Sequence, residues 1–180
     1  MDLIIVDCQN DFISGSLACQ KGEEAAEKIA EFIKENKENL NVFYTADFHP
    51  ENHISFEAQG GIWPPHCVEG TEGAEIHKVL KESDLAPNAD NIYYKGRNPE
   101  EEEYSGYQGK NESGKALKDA VSDEVHIVGI ASEYCVKNTA EDFLKDGKSV
   151  TVYKDMLGYV DEEDHIKNLK ELEQEGIKVK

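Results

Sequence analysis

The chain has 180 residues, 38% of them apolar, and carries 38 acidic against 19 basic side chains for a formal charge of −19. That length supports one domain with a substantial core and is short for two. The charge repels phosphate backbones and anionic lipid, so no nucleic acid and no membrane surface is expected as a partner. No apolar stretch approaches the ~20 residues that span a bilayer, and the first apolar run, bracketed by Asp2 and Asp7, lacks a basic leader. Four cysteines (Cys8, Cys19, Cys67, Cys135) stand at irregular spacings with no C-x-x-C pair, which points to reduced thiols and a cytoplasmic protein.

Strand-like and helix-like runs alternate along the chain, the pattern of an α/β fold with a largely parallel sheet. Leu3-Ile4-Ile5-Val6 reads as a buried strand ending at Asp7. Ala26, Ile29, Phe32 and Ile33 form an apolar stripe at helical spacing over 23–35. Asn41-Val42-Phe43-Tyr44 is a second strand, running through Thr45-Ala46 into Asp47-Phe48-His49, and residues 50–73 follow as an irregular loop. Asn91-Ile92-Tyr93-Tyr94 is a third, ending at Lys95, and residues 96–115 are again irregular. A turn and a helix are expected around Ala116-Leu117. Val125-His126-Ile127-Val128 leads through Gly129-Ile130-Ala131 to Cys135 at a helix start. That helix carries Val136, Ala140, Phe143 and Leu144, with Gly147 as its terminating glycine. Residues 149–153 read as a strand, Asp161 as the cap of a last helix carrying Ile166, Leu169 and Leu172, and 177–179 as a short final strand.

Each of four strands thus ends beside a residue capable of chemistry, and in an open parallel sheet ligands bind beyond the carboxyl ends of the strands. Asp47-x-His49 places two side chains on one side of an extended segment, and His53 and His66 follow. A carboxylate with imidazoles suits a divalent first-row metal such as Zn, Fe or Mn. His77, His126 and His165 lie on expected helices or strands and read as structural. Cys135 sits where helix-terminal N–H groups favour a thiolate, and Asp7 and Lys95 at neighbouring strand ends would supply a base and a cation. Cys8, Cys19 and Cys67 have no comparable setting. Gly109 to Lys115 fits the spacing of a phosphate loop, but Ala116 replaces the magnesium-binding hydroxyl and no apolar strand leads in, so a nucleotide site is rejected.

Several blocks together resemble the nicotinamidase branch of the isochorismatase-like cysteine hydrolases. They are Asp7-Cys8-Gln9-Asn10-Asp11-Phe12, Thr45 to Phe56, Trp63 to Glu75, Lys95-Gly96, Tyr104-Ser105-Gly106-Tyr107 and Gly129 to Val136, in the family's order. The resemblance implies a three-layer α/β/α fold with a six-stranded parallel sheet, within a single domain over 1–180. It implies Cys135 as nucleophile, Asp7 as general base and acid, and Lys95 as the partner favouring thiolate. It further implies a cis peptide before Ala131, with the N–H groups of Ala131 and Cys135 forming an oxyanion hole. Asp47, His49 and His66 would bind one divalent metal, zinc before iron or manganese, with His53 either a ligand or a neighbour of the metal's waters. Phe12, Trp63 and Tyr104 would wall a pyridine pocket.

The implied substrate is nicotinamide, hydrolysed to nicotinate and ammonia in NAD salvage, with pyrazinamide as an analogue. Family members range from monomers to larger assemblies, so a homo-oligomer is compatible. Two rival readings stand beside this one: an amidase for another small aromatic or N-carbamoyl amide, and a non-catalytic metal or thiol sensor. The acidic run Glu100 to Glu103 is read as either a solvated loop or a modulator of access.

Overall fold

Leu3, Ile4, Ile5 and Val6 offer no polar face, so their strand must be covered on both sides. In the computed structural model, which describes residues 1–180, β1 (Asp2–Val6) is buried along its whole length near the centre of a six-stranded sheet. The order is β3-β2-β1-β4-β5-β6, formed by β2 (Asn41–Asp47), β3 (Ile92–Lys95), β4 (Glu124–Gly129), β5 (Ser149–Leu157) and β6 (Lys178–Val179). Every pairing is parallel. The chain begins in the middle, winds outward to β3, then returns to lay β4 on the other side of β1. The crevice at that reversal is where an open α/β sheet binds ligands.

Side chains of β1 alternate between two cores. Leu3 and Ile5 join Ala26, Ile29 and Ile33 of α2 (Gly22–Asn36) on one face. Ile4 and Val6 join Ala140 and Phe143 of α4 (Lys137–Lys145) and Leu172 of α5 (Glu162–Glu175) on the other. Each fully buried side chain of this kind contributes about 1.5–3 kcal/mol of transfer free energy. Two further helices, α1 (Asn10–Ile13) and α3 (Lys78–Lys81), are single turns inside the connections. No helix is long and apolar enough to cross a membrane.

Sequence expectation and structure differ in three places. The helix expected around Ala116-Leu117 is one 3-10 turn, Leu117–Asp119, because Leu117 N–H is held by Gly109 O and Ala116 pairs with Lys110. Cys135 lies within a π-helical turn, Ser132–Val136, that precedes α4. In α5, capped by the Asp161 side chain on the N–H groups of Glu163 and Asp164, Leu172 is buried but Ile166 is 47% exposed, while polar Asn168 is buried. Of the expected apolar stripe, Leu169 and Leu172 pack against the core and Ile166 does not.

Candidate active site

Strand register sets the site. Asp47 pairs with Lys95 across β2 and β3, and Val6 pairs with Gly129 across β1 and β4. Asp7, Asp47, Lys95 and the Gly129-to-Cys135 turn therefore share one edge of the sheet. Asp7 leaves β1 at φ 47°, a left-handed conformation unusual for a residue with a Cβ. Its N–H is held by Thr45 O at 3.2 Å. Its Oδ1 accepts from Thr45 Oγ1 at 2.6 Å.

Lys95 joins the parts. Its Nζ lies 2.8 Å from Asp7 Oδ2 and 3.6 Å from Cys135 Sγ, bonds Asp47 Oδ1, and reaches Glu103 O at 3.4 Å. Sites on Asp7, Asp47 and Cys135 all fall within 4.8 Å of one another, with the lysine ammonium among them. This second acidic cluster therefore already has its cation. Lys95, Asp7 and Asp47 are almost fully buried, and burial of each charge is costly unless it is paired. Burial works to lower the Lys95 pKa, but Asp47 and Asp7 override it and hold the ammonium charged. Burial pushes Asp7 up, against the pull of Lys95. Burial likewise drives the Cys135 thiol well up, with Lys95 opposing and Asp7 adding to the rise. A thiol raised in this way calls for a neighbouring base to create the nucleophile, and Asp7 is the carboxylate at hand. Lys95 moderates the burial of the thiol without overcoming it.

Asp47, His49 and His66 form a separate cluster. His49 Nε2 and His66 Nε2 lie 3.4 and 4.0 Å from Asp47 Oδ2. Each ring donates its Nδ1–H to a backbone oxygen at 2.8 Å, Gly96 O for His49 and Pro64 O for His66. Both Nε2 atoms therefore face the carboxylate, and in the neutral ring each offers the lone pair a metal ligand requires. Gly96 is needed for this, since at φ +68° a Cβ would stand 2.3 Å from His49 Cε1. Although burial works to raise the Asp47 pKa, Lys95 and His49 hold it well below the carboxylate range. Three protein ligands of this kind suit a divalent ion with open positions.

His53 stands beside that cluster and outside it. Its ring lies 4.0 Å from that of His49, with Nδ1 2.7 Å from Ser55 Oγ and Nε2 3.0 Å from Glu101 O. Both nitrogens are engaged, and burial together with His49 lowers its pKa to about 4. Phe12, Trp63 and Tyr104 line a pocket shared with Asp47, His66, Ala131 and Cys135. Trp63 Nε1–H donates to Tyr104 OH at 3.1 Å, and Phe12 lies 5.4 Å from the His66 ring. The Ile130–Ala131 peptide is cis, and the Ala131 N–H has no acceptor in the protein.

Four contributors escape a reading of the sequence alone. Gln9 is fully buried. Its Nε2 donates to Asp47 O and Ala74 O, and its Oε1 accepts from Asp47 N, all at 2.8 Å. Thr45 binds Asp7, as described. Tyr134 completes the pocket wall, 5.1 Å from Trp63 and 5.6 Å from Tyr104. The acidic run is part of the site's frame: Glu103 Oε2 accepts from Gly96 N, and the main chain of Glu101 and Glu103 meets His53 and Lys95. Of the other cysteines, all free, Cys19 lines the pocket, where no setting near the site was expected for it.

A parallel α/β sheet with a buried Asp, Lys and Cys at its switch point defines a cysteine-hydrolase type of site. The isochorismatase domain family model matches residues 2–180, and the chain belongs to that family. It is 36% identical to the nicotinamidase/pyrazinamidase of Mycobacterium tuberculosis over 98% of this chain and 96% of that protein. The crystal structure of the Pyrococcus horikoshii pyrazinamidase in complex with zinc superposes with a TM-score of 0.86 at 39% identity, covering 99% of this chain and 97% of the other. The yeast nicotinamidase bound to the inhibitor nicotinaldehyde gives 0.87 at 31% identity, covering 99% and 98%.

Proposed function

We propose that the chain is a nicotinamidase that hydrolyses nicotinamide to nicotinate and ammonia. The observation that carries this reading is the layout of the pocket. A thiol with its base and cation and an Asp/His/His ligand set stand side by side, joined through Asp47, and aromatic side chains wall the pocket they share. A flat ring with a carboxamide on one side and a nitrogen lone pair on the other matches that layout.

Asp47, His49 and His66 would hold a divalent ion, with His53 packed behind His49. When bound, such an ion supplies a Lewis-acid contact for the ring nitrogen and acidifies water. Phe12, Trp63, Tyr104 and Tyr134 hold the ring and exclude solvent. Asp7 takes the Cys135 proton, and the thiolate attacks the carboxamide carbon while Lys95 balances the charge passing between them. The N–H groups of Ala131 and Cys135 receive the developing oxyanion, a role in which one donor is typically worth about 2.7–4 kcal/mol. The C–N bond breaks as Asp7 returns its proton to the departing ammonia. Asp7 then takes a proton from water, whose oxygen attacks the thioester; nicotinate leaves and the thiol is restored. Splitting amide hydrolysis into two steps is the benefit of a covalent route.

The test is ammonia release from nicotinamide, and from pyrazinamide, by the purified protein beside Cys135→Ala and a chelator-treated sample. Turnover that vanishes in the variant and falls on chelation supports both halves of the site. Turnover surviving in Cys135→Ala rejects the mechanism, and inert wild-type protein loaded with metal rejects the substrate.

A further inference from the structure

The polar interior of α5 has no role in the chemistry above. Asn168 is 2% exposed and Ser132 is fully buried. Asn168 Nδ2 donates to Ser132 O at 2.8 Å and to Ser132 Oγ at 3.2 Å. The Ser132 hydroxyl, accepting from Asn168, is also hydrogen-bonded to His165 Nδ1, 2.8 Å away. His165 is itself stacked on Tyr159, 4.5 Å between ring centres and 15° between planes. Ser132 N–H is held from a third direction by Gly158 O at 2.9 Å. Next door, Glu133 Oε1 accepts the N–H groups of Val160 and Asp161 at 2.7 Å each, which ties the turn to the start of α5.

Packing alone does not account for this. Asn168 Oδ1 is buried without a donor, and such an atom is destabilising. An apolar side chain at that place would fill the space without the penalty. Turning the amide over would set Oδ1 against Ser132 O, so its orientation is fixed by the Ser132 carbonyl. What the bonds provide is direction. They clamp the residue between Ala131, whose N–H is free for an oxyanion, and the turn that carries Cys135. Hydrogen bonds that fix the frame behind a reacting group preorganise it.

We infer that α5 is a positioning element for the oxyanion site, with Asn168 and His165 acting through Ser132 and touching no substrate. The inference rests on the reading of Cys135 as a nucleophile toward a carboxamide. It predicts that loss of the clamp harms the tetrahedral state and spares planar ligands. A displacement of the donors by a fraction of an ångström to 1 Å lowers kcat by roughly 10- to 100-fold.

Asn168→Leu keeps the branched shape and removes the donor; His165→Phe keeps the stack on Tyr159 and removes the hydrogen bond to Ser132; His165→Gln restores a hydrogen-bonding group. Two ligands separate the states. Nicotinaldehyde adds the Cys135 sulfur to its carbonyl carbon, the thiol proton ending on the oxygen, and so uses the oxyanion site. Nicotinate stays planar. The expected result for Asn168→Leu is a fall in kcat of roughly 10- to 100-fold, KM within twofold, nicotinaldehyde weakened in proportion to kcat, and nicotinate unchanged. His165→Phe should follow in the same direction, and His165→Gln should recover part of the loss. Wild-type kcat in Asn168→Leu, or equal weakening of aldehyde and nicotinate, would overturn the proposal in favour of a structural role. Wild-type protein inert to nicotinamide and to the aldehyde would overturn the functional reading itself, and the proposal with it. These two failures are distinguishable, because one is confined to the variants.

Discussion

The two sides of the pocket are built differently. Asp7, Asp47 and Lys95 sit at the ends of strands, where parallel register fixes their separation. His49, His66 and the aromatic wall hang on the long connections, and each imidazole is aimed by a single backbone carbonyl. Lys95 belongs to both, bonding Asp7 of the thiol side and Asp47 of the ligand side. The strand-borne half gains its precision from the sheet. The loop-borne half gains it from local hydrogen bonds, and it should be the easier half to disturb without unfolding the protein.

Replacing the shared lysine should break both halves at once. Lys95→Ala leaves two buried carboxylates without their cation, a situation that typically costs 3–5 kcal/mol, and abolishes turnover. Urea unfolding and ammonia release measure the two effects, and Lys95→Met keeps the volume. The pH dependence has a definite sign. The folded pKa of Lys95 is raised because Asp47 and Asp7 outweigh burial. Its contribution is therefore fully present below the ordinary lysine value of about 10.4 and is lost as pH rises through the higher folded value. The stability difference between wild type and Lys95→Met should stay flat to about pH 10 and shrink above it; a difference that grows with alkalinity would contradict the pairing.

Gly96→Ala attacks the loop-borne half alone. The added Cβ meets the His49 ring at a backbone conformation that alanine resists. Metal affinity, read by competition with a chromogenic chelator, should fall by about 10–100-fold, the usual consequence of disturbing a ligand's hydrogen-bond partner, with the fold retained. Gln9→Leu tests the seam between the halves. It leaves Asp47 N–H and two carbonyls unpaired in a buried place, and each such group costs roughly 1–3 kcal/mol. The midpoint of thermal unfolding should drop, and the metal should be held less tightly. The smallest change is Thr45→Val, which removes the hydroxyl's bond to the Asp7 carboxylate and its weaker contact with the Asp7 N–H, which Thr45 O still accepts. Asp7 is raised chiefly by burial, and this bond opposes the rise. The acid limb of kcat/KM should therefore move to higher pH, with a loss near neutrality of roughly fivefold, the worth of about 1 kcal/mol.

The strand-borne half is also the half that the sequence announces. Uninterrupted apolar runs end at Asp7 and Lys95, and a third leads to Cys135, because a buried parallel strand needs such a run and its end is where the chain reaches solvent or ligand. The Asp47-x-His49 spacing is legible for the same reason. Gln9 and Thr45 are hidden because their partners lie at a sequence separation of 38 residues, and only strand pairing brings them together. Ser132, His165 and Asn168 are hidden more deeply. The apolar spacing of α5 points to Ile166, Leu169 and Leu172, whereas Asn168 is buried by hydrogen bonds to a turn more than 30 residues away. A polar residue carries no periodic signal that tells a solvated face from a buried clamp.

The most direct test of the account is acid quench of a reaction between the metal-loaded enzyme and nicotinamide, followed by digestion and mass spectrometry of the cysteine peptides. The account predicts a nicotinoyl thioester on the peptide bearing Cys135, formed and consumed at rates consistent with turnover, and absent from those bearing Cys19 and Cys67. An adduct on Cys19, the other thiol lining the pocket, would contradict the assignment of the nucleophile. Steady turnover in the Cys135→Ala protein would contradict the covalent route altogether.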